Sequence, residues 1–198
     1  MTRCAPPRSA LRLLAALALA SVAHAGPTGE PRPRVTVHQD GATFVVEATL
    51  AVPAPVAAAW DVVTDIDAMA GFVPAVDESR VLAREDRRWR ILQRGAIRFG
   101  PIAFAWTSER EATLDRPTSI RQVQLYGTMP RLETRTTLSA EGDGTRLHYR
   151  VDVIPDAPFP DFVTRWLLRR ETETQLDSIR DEIVRRSAPR PPAAPRVR

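Results

Sequence analysis

The run from Phe159 to Arg186 (FPDFVTRWLLRRETETQLDSIRDEIVRR) limits what this chain can fold into more than any other stretch. It is the only segment long and periodic enough for a substantial helix, and it follows a series of strand-like runs. Asp161, preceded by Pro158 and Pro160, stands where an N-cap belongs. Arg185 and Arg186 close the last turn, so the charges match the helix dipole at both ends. The apolar stripe is interrupted. Phe162, Val163, Trp166 and Leu167 share one face, whereas Leu176, Ile179 and Ile183 share another, displaced by a large angle at about 100° per residue. A polar turn and a half, Arg169 to Gln175, lies between them. A helix with two differently aimed apolar faces has to bend or be wrapped by something curved. We therefore expect it to be held across a strongly curved antiparallel sheet.

The upstream chain supplies the strands. Arg34 to Gln39 and Thr43 to Val52 alternate around Asp40-Gly41, a strong hairpin signal. Pro53 and Pro55 stop the second run, and Val56 to Thr64 reads as a short helix with Trp60 and Val63 inward. Asp65 can cap a second short helix running to Phe72, and Pro74 ends it. Strands are expected at Val76 to Arg84 and Arg88 to Phe99, then from Ile102, then at Ser119 to Gly127, Arg131 to Ala140 and Arg146 to Ile154. The order is strand, two short helices, a run of antiparallel strands and one long helix. That predicts an α+β domain of about seven curved strands around the C-terminal helix, with no βαβ alternation.

The ends read differently. Arg3, Arg8 and Arg12, the short apolar run Leu13 to Val22, and Ala23-His24-Ala25 form a secretory signal with cleavage expected after Ala25. The apolar run is too short to span a bilayer. Residues 26–34 form a Pro-rich linker, residues 35–186 the domain, and residues 187–198 a disordered Pro/Arg-rich tail. The expected location is the periplasm or the outside of the cell. Cys4, the only cysteine, lies in the signal, so after cleavage no disulfide, thiolate metal site or cysteine nucleophile is available. All 28 basic residues are arginine, and removing the three in the signal leaves 25 against 24 acids. That balance gives no footprint for nucleic acid. The basic tail leaves transient contact with a membrane surface as an option.

Between Val52 and Leu82, Val52-Pro53-Ala54-Pro55, Trp60, Asp65, Phe72-Val73-Pro74 and Val81 resemble the opening of the START-like (SRPBCC) helix-grip superfamily. The subgroup most similar is the polyketide cyclase/dehydrase and coenzyme-Q-binding START-type proteins. Gly144 to Val151 (GTRLHYRV), a Pro-rich link and the long helix resemble that superfamily's ending, so the match runs from Thr43 to Arg186. The export signal and the added first strand depart from it. The resemblance implies a cavity between sheet and helix for a hydrophobic small molecule. It also implies a mouth at Met69, Phe72 and Val73, with Met129 at the Gly127–Pro130 break a similar candidate.

The residues themselves offer no catalytic constellation. His38 and His148 fall on outward strand positions, and no histidine pair has ligand spacing. Asp61, Asp65 and Asp67 lack a calcium-loop pattern and read as caps on a solvated face. No cofactor and no metal is called for. What stands out is the inner face of the sheet, where strand alternation aims Trp89, Phe104, Trp106, Tyr126 and Tyr149 at the long helix, with Gln93, Ser108 and Arg110 among them. An unpaired buried polar group costs about 1–3 kcal/mol, so three on an apolar face suggest ligand contacts. A bulge that turns them to the rim is the other reading. The break in the helix is likewise open: either Arg169 pairs with Glu173 on a solvated face, or Arg170 and Thr174 continue the stripe into the cavity. Trp166 and Arg170 complete the candidate lining. We expect an exported binding or carrier protein for a lipid, isoprenoid or polyketide-like compound. The alternatives are a cyclase or dehydratase using Tyr126, Tyr149 or Arg110, and an envelope interaction module with a filled core.

Overall fold

The computed structural model describes residues 32–156 and 159–188. The signal segment, most of the linker and the tail from residue 189 lie outside the described residues. In chain order the elements are β1 (Arg34–Asp40), β2 (Thr43–Val52), α1 (Val56–Val63), a 3-10 helix (Ile66–Gly71), β3 (Val76–Glu85), β4 (Arg88–Phe99), β5 (Ile102–Asp115), β6 (Ser119–Gly127), β7 (Arg131–Glu141), β8 (Gly144–Ile154) and α2 (Asp161–Ser187).

The eight strands form one antiparallel sheet in the order β1-β2-β8-β7-β6-β5-β4-β3. After the β1–β2 hairpin, which closes over Gly41 at φ 58, α1 and the 3-10 helix carry the chain to the opposite edge. From there it returns strand by strand until β8 lies beside β2. This is the expected α+β helix-grip arrangement, with β1 adding one strand at the edge. α1 turns Ala59, Trp60, Val62 and Val63 into the core and ends at Thr64, whose hydroxyl donates to the Trp60 carbonyl at 2.7 Å. The centre holds Leu50, Ile91, Leu147, Leu176 and Ile183, each at most 1% exposed. Burying each such side chain contributes about 1.5–3 kcal/mol.

α2 is uninterrupted, and its inward stripe differs from the one expected. Thr164, Leu167, Thr172, Leu176, Ile179 and Ile183 are all buried, a continuous progression at steps of three to five residues. Phe162 and Trp166 point to solvent instead, 70% and 47% exposed, and Arg170 stands exposed with its guanidinium 5.3 Å above the Trp166 ring. Trp166 and Arg170 therefore do not line the interior. The inward phase is set by the aliphatic half of the helix, and Thr164 and Thr172 continue it through the polar half. Glu171 and Gln175 are half-buried, whereas Thr174, expected to look inward together with Arg170, is exposed. Asp161 is the first helical residue and not the cap, a position held by Pro160 without a side-chain bond.

Candidate ligand-binding interior

Between the sheet and α2 lies a cavity of about 50 Å³, lined by Val63, Met69, Gln93, Ile120, Gln122, Thr136, Leu147, Tyr149, Gln175, Leu176 and Ile179. Aliphatic residues from α1, the sheet and α2 make its walls. Three glutamines, a threonine and a tyrosine supply its polar groups. Of the residues expected at the site, Met69, Gln93 and Tyr149 meet here.

Arg110 on β5 stands beside this space. It is 8% exposed, and its Nη2 donates to Oε1 of Gln93, which lies diagonally across the β4–β5 pairing, where Arg110 faces Ile91 and Gln93 faces Ser108. Gln93 Nε2 in turn donates to Ser79 Oγ at 2.9 Å and to the Met69 sulfur at 3.3 Å. Ser79 Oγ donates to the Ile66 carbonyl. A relay thus runs from the buried guanidinium to the 3-10 helix. Burial lowers Arg110 to about 10, against the opposing influence of Tyr149. Burial likewise raises the Tyr149 phenol, which Arg110 and a hydrogen bond with Gln175 pull back. Arg110 Nε and Gln122 Oε1 are buried without a hydrogen-bond partner among the described residues. A buried charge is ordinarily matched by a carboxylate, but Arg110 has no ion pair among the described residues and only an amide oxygen to meet it.

Ser108, fully buried, donates to Gln124 Oε1 at 2.8 Å, and Gln124 Nε2 donates to the Met129 carbonyl at 2.6 Å. This ties β5 to the β6–β7 turn. Trp89 is buried at the far end of β4, where the guanidinium of Arg84 lies 4.8 Å from its ring centre. It packs in the core and does not line the cavity. Phe104 and Trp106 are half-buried, Phe104 meeting Phe159 edge-on at 4.9 Å.

Tyr126 is 68% exposed, contrary to the inward orientation that simple alternation gave it. The register explains this: Arg110 pairs with Gln124, but Glu109 pairs with Tyr126. Leu125 is the extra residue of a bulge, and beyond it the strand shows its other face. Ser79, Gln122, Gln124, Thr136 and Gln175 were not anticipated at the site. Gln122 and Gln124 were within reach, because both lie on the face of Ile120 at a spacing of two.

Of the residues expected at a mouth, Val73 is buried, while Met69, Phe72 and Met129 are half-buried, and Met69 lines the cavity. Arg186 near the end of α2 latches this side. It bonds Asp65 at 2.8 Å and lies 5.9 Å from the Phe72 ring centre. Glu182 holds Arg186 and Arg185, each at 2.6 Å. Gly95 is what lets the segment around Ala75 lie down on β4. A Cβ there would sit 1.8 Å from the Ala75 carbonyl oxygen and 3.0 Å from the Trp106 ring.

Residues 52–180 match the family described as polyketide cyclase/dehydrase and lipid transport. The chain belongs to this family. Solved structures share its fold. TTHA0849 from Thermus thermophilus is 20% identical at a TM-score of 0.66, over 73% of this chain and 99% of that one. A START superfamily protein from Mycobacterium smegmatis is 18% identical at 0.63, over 71% and 97%. The Zhui aromatase/cyclase of a Streptomyces species is 21% identical at 0.59, over 73% and 95%. No curated protein sequence matches the chain. In this polyketide cyclase/dehydrase family member the two departures noted in the sequence stand differently. β1 is part of the sheet, and the signal segment lies outside the described residues.

Proposed function

We propose that the protein is an exported binding or carrier protein that takes up a hydrophobic small molecule between its sheet and α2, a lipid, isoprenoid or polyketide-like compound. The observation that carries this reading is Arg110, a buried guanidinium whose Nε–H has no partner and which no carboxylate answers among the described residues. A fold selected for stability alone would replace it with an apolar residue. A ligand oxygen placed against Nε would complete its bonding, with Tyr149 and Gln122 nearby. The remainder of the ligand would be driven in by apolar burial, at about 25 cal/mol per Å².

The cavity of about 50 Å³ is well below the roughly 300–1,000 Å³ of ordinary small-molecule sites, so uptake requires the mouth to move. The segment to move is Met69 to Val76, held by Gln93, by the Arg186 latch and by its close seat on Gly95. The exposed row Phe162, Trp166 and Arg170 on α2 suits transient contact with a membrane surface, where aromatic rings and arginine sit at the headgroup level. The small cavity also favours a second reading, an envelope interaction module whose core is simply filled.

Native mass spectrometry of the chain purified without detergent, before and after incubation with lipid, quinone and polyketide mixtures, separates the two. A stoichiometric hydrophobic adduct, lost in Arg110→Met, supports the carrier. A clean apo mass under every condition supports the filled core. Turnover of an added polyketide would identify the cyclase or dehydratase alternative, with Tyr149 and Arg110 as the groups at hand.

A further inference from the structure

The outer face of the sheet carries a feature independent of the interior. Strand register sets its outward side chains in transverse rows. One row runs Thr36, Glu47, Arg150, Arg135 and on to Arg121 of β6; the next runs Arg34, Thr49, His148, Thr137. Three arginines therefore stand directly side by side on β8, β7 and β6, an arrangement that like charges disfavour. The outer two are neutralised. Arg150 pairs with Glu47 at 2.8 Å and Asp152 at 2.9 Å, and Arg121 pairs with Glu133 at 2.7 Å. Arg135, between them, has no ion pair among the described residues, and neither has Arg34 in the adjoining row.

Over these two rows lies an open groove of about 470 Å³, the floor of which is made of threonines. Its one carboxylate, Glu47, is engaged by Arg150. What remains directed at the groove is a set of donors: two uncommitted guanidiniums, hydroxyls and the His148 ring. Guanidiniums match the oxygens of phosphate in a forked geometry, and charge-assisted bonds of this kind are about twice as strong as neutral ones. The volume admits more than a bare ion.

We propose that this groove is a binding site for a phosphate ester, borne by a soluble compound or by a lipid headgroup, with Arg34 and Arg135 as its principal donors. Bound anion relieves the repulsion along the arginine row, so occupancy raises stability, and added salt weakens binding by screening exposed charges. Tyr149 borders both spaces, but none of the groove's donors lines the interior, so occupancy of one site does not require the other.

The test uses the purified full-length chain and its Arg34→Gln and Arg135→Gln variants in phosphate-free, low-salt buffer. Pyrophosphate is titrated by calorimetry, and co-sedimentation is measured with vesicles of phosphatidylglycerol and of phosphatidylcholine. Saturable pyrophosphate binding, weakened about tenfold or more by either substitution, supports the site. Without anion the midpoint of Arg135→Gln should equal or slightly exceed the parent's, because one charge of the repelling row is gone, and pyrophosphate should raise the parent's midpoint more than that of either variant. A preference for phosphatidylglycerol vesicles that both substitutions abolish assigns the phosphate to a headgroup. Pyrophosphate binding without vesicle binding assigns it to a soluble ester. If neither probe binds, or both bind the parent and the variants equally, the proposal is overturned. Ligand uptake in the interior, read by mass spectrometry, is unaffected in either case.

Discussion

The Arg110→Met substitution removes a charged group from the interior and leaves an unbranched apolar chain of similar length. Burial brings the guanidinium to about 10, and at about 1.4 kcal/mol per tenfold change in protonation its charged form is roughly 3 kcal/mol less favourable in the folded protein than in the unfolded chain. Both states are protonated at neutral pH, so this penalty is present throughout the range below about 10 and fades only as the pH rises above it. Against the gain stands Gln93 Oε1, which loses its donor at a cost of about 1–3 kcal/mol. The net effect runs from nothing to a stabilisation of roughly 2 kcal/mol, or a rise in thermal midpoint of no more than about 8 °C for a chain of this size. Urea unfolding followed by tryptophan fluorescence measures it. A loss of roughly 3 kcal/mol or more would refute the reasoning. Arg110 would then be a keystone of the fold, and its burial would no longer point to a ligand.

Other perturbations test the remaining parts of the site. Gly95→Ala drives a methyl group into the Ala75 carbonyl, so hydrogen exchange should speed up across residues 69–76 and stability should fall by about 1–3 kcal/mol; unchanged protection there would show that the mouth segment does not depend on this seat. Hydrogen bonds from Arg185 and Arg186 hold Glu182 at about 2, below the usual carboxylate range, so its stabilisation is complete above about 4.5 and is lost as the pH falls from there towards about 2. Glu182→Gln should flatten the stability curve in that window, and curves that stay parallel would contradict the assignment. Ser108→Val leaves Gln124 without its donor and should cost about 1–3 kcal/mol in denaturant unfolding, a value near zero counting against a buried network. Replacing Phe162 and Trp166 together by serine should leave stability within about 1 kcal/mol, because both are exposed. Vesicle co-sedimentation should fall, and full retention would remove α2 from the membrane contact.

Most of the sheet was legible in the sequence, because one face of each strand is wet and alternation records which. It failed where a single residue is inserted. Nothing in Gln124-Leu125-Tyr126 announces that Leu125 is unpaired, and one extra residue reverses the facing of everything after it. The phase of α2 was obscured for another reason. Its inner face carries Thr164, Thr172 and Gln175 where hydrophobicity would have marked it, while Phe162 and Trp166 are exposed. The polar groups that blurred the pattern are partly those that line the cavity, so the sequence was hardest to read beside the site. Gln93, Ser108 and Arg110 were readable because alternation through β4 and β5 is undisturbed up to Arg110. Their partners Ser79 and Gln124 required the register.

The sheet never closes on itself, so β1 and β3 are both left as outer strands. Such strands are templates on which a second chain can extend the sheet into fibres. β3 is protected in two ways. Its register shifts between Val76 and Glu78 and again between Val81 and Ala83, and Asp67 accepts the Val81 N–H at 2.7 Å while pairing with Arg84. The 3-10 helix that carries Met69 over the cavity thus also occupies the position an incoming strand would take. Loosening that helix to admit a ligand would unmask a sticky edge for as long as the mouth stays open, so at high concentration crowded copies of the chain would select for a gate that opens seldom and shuts fast.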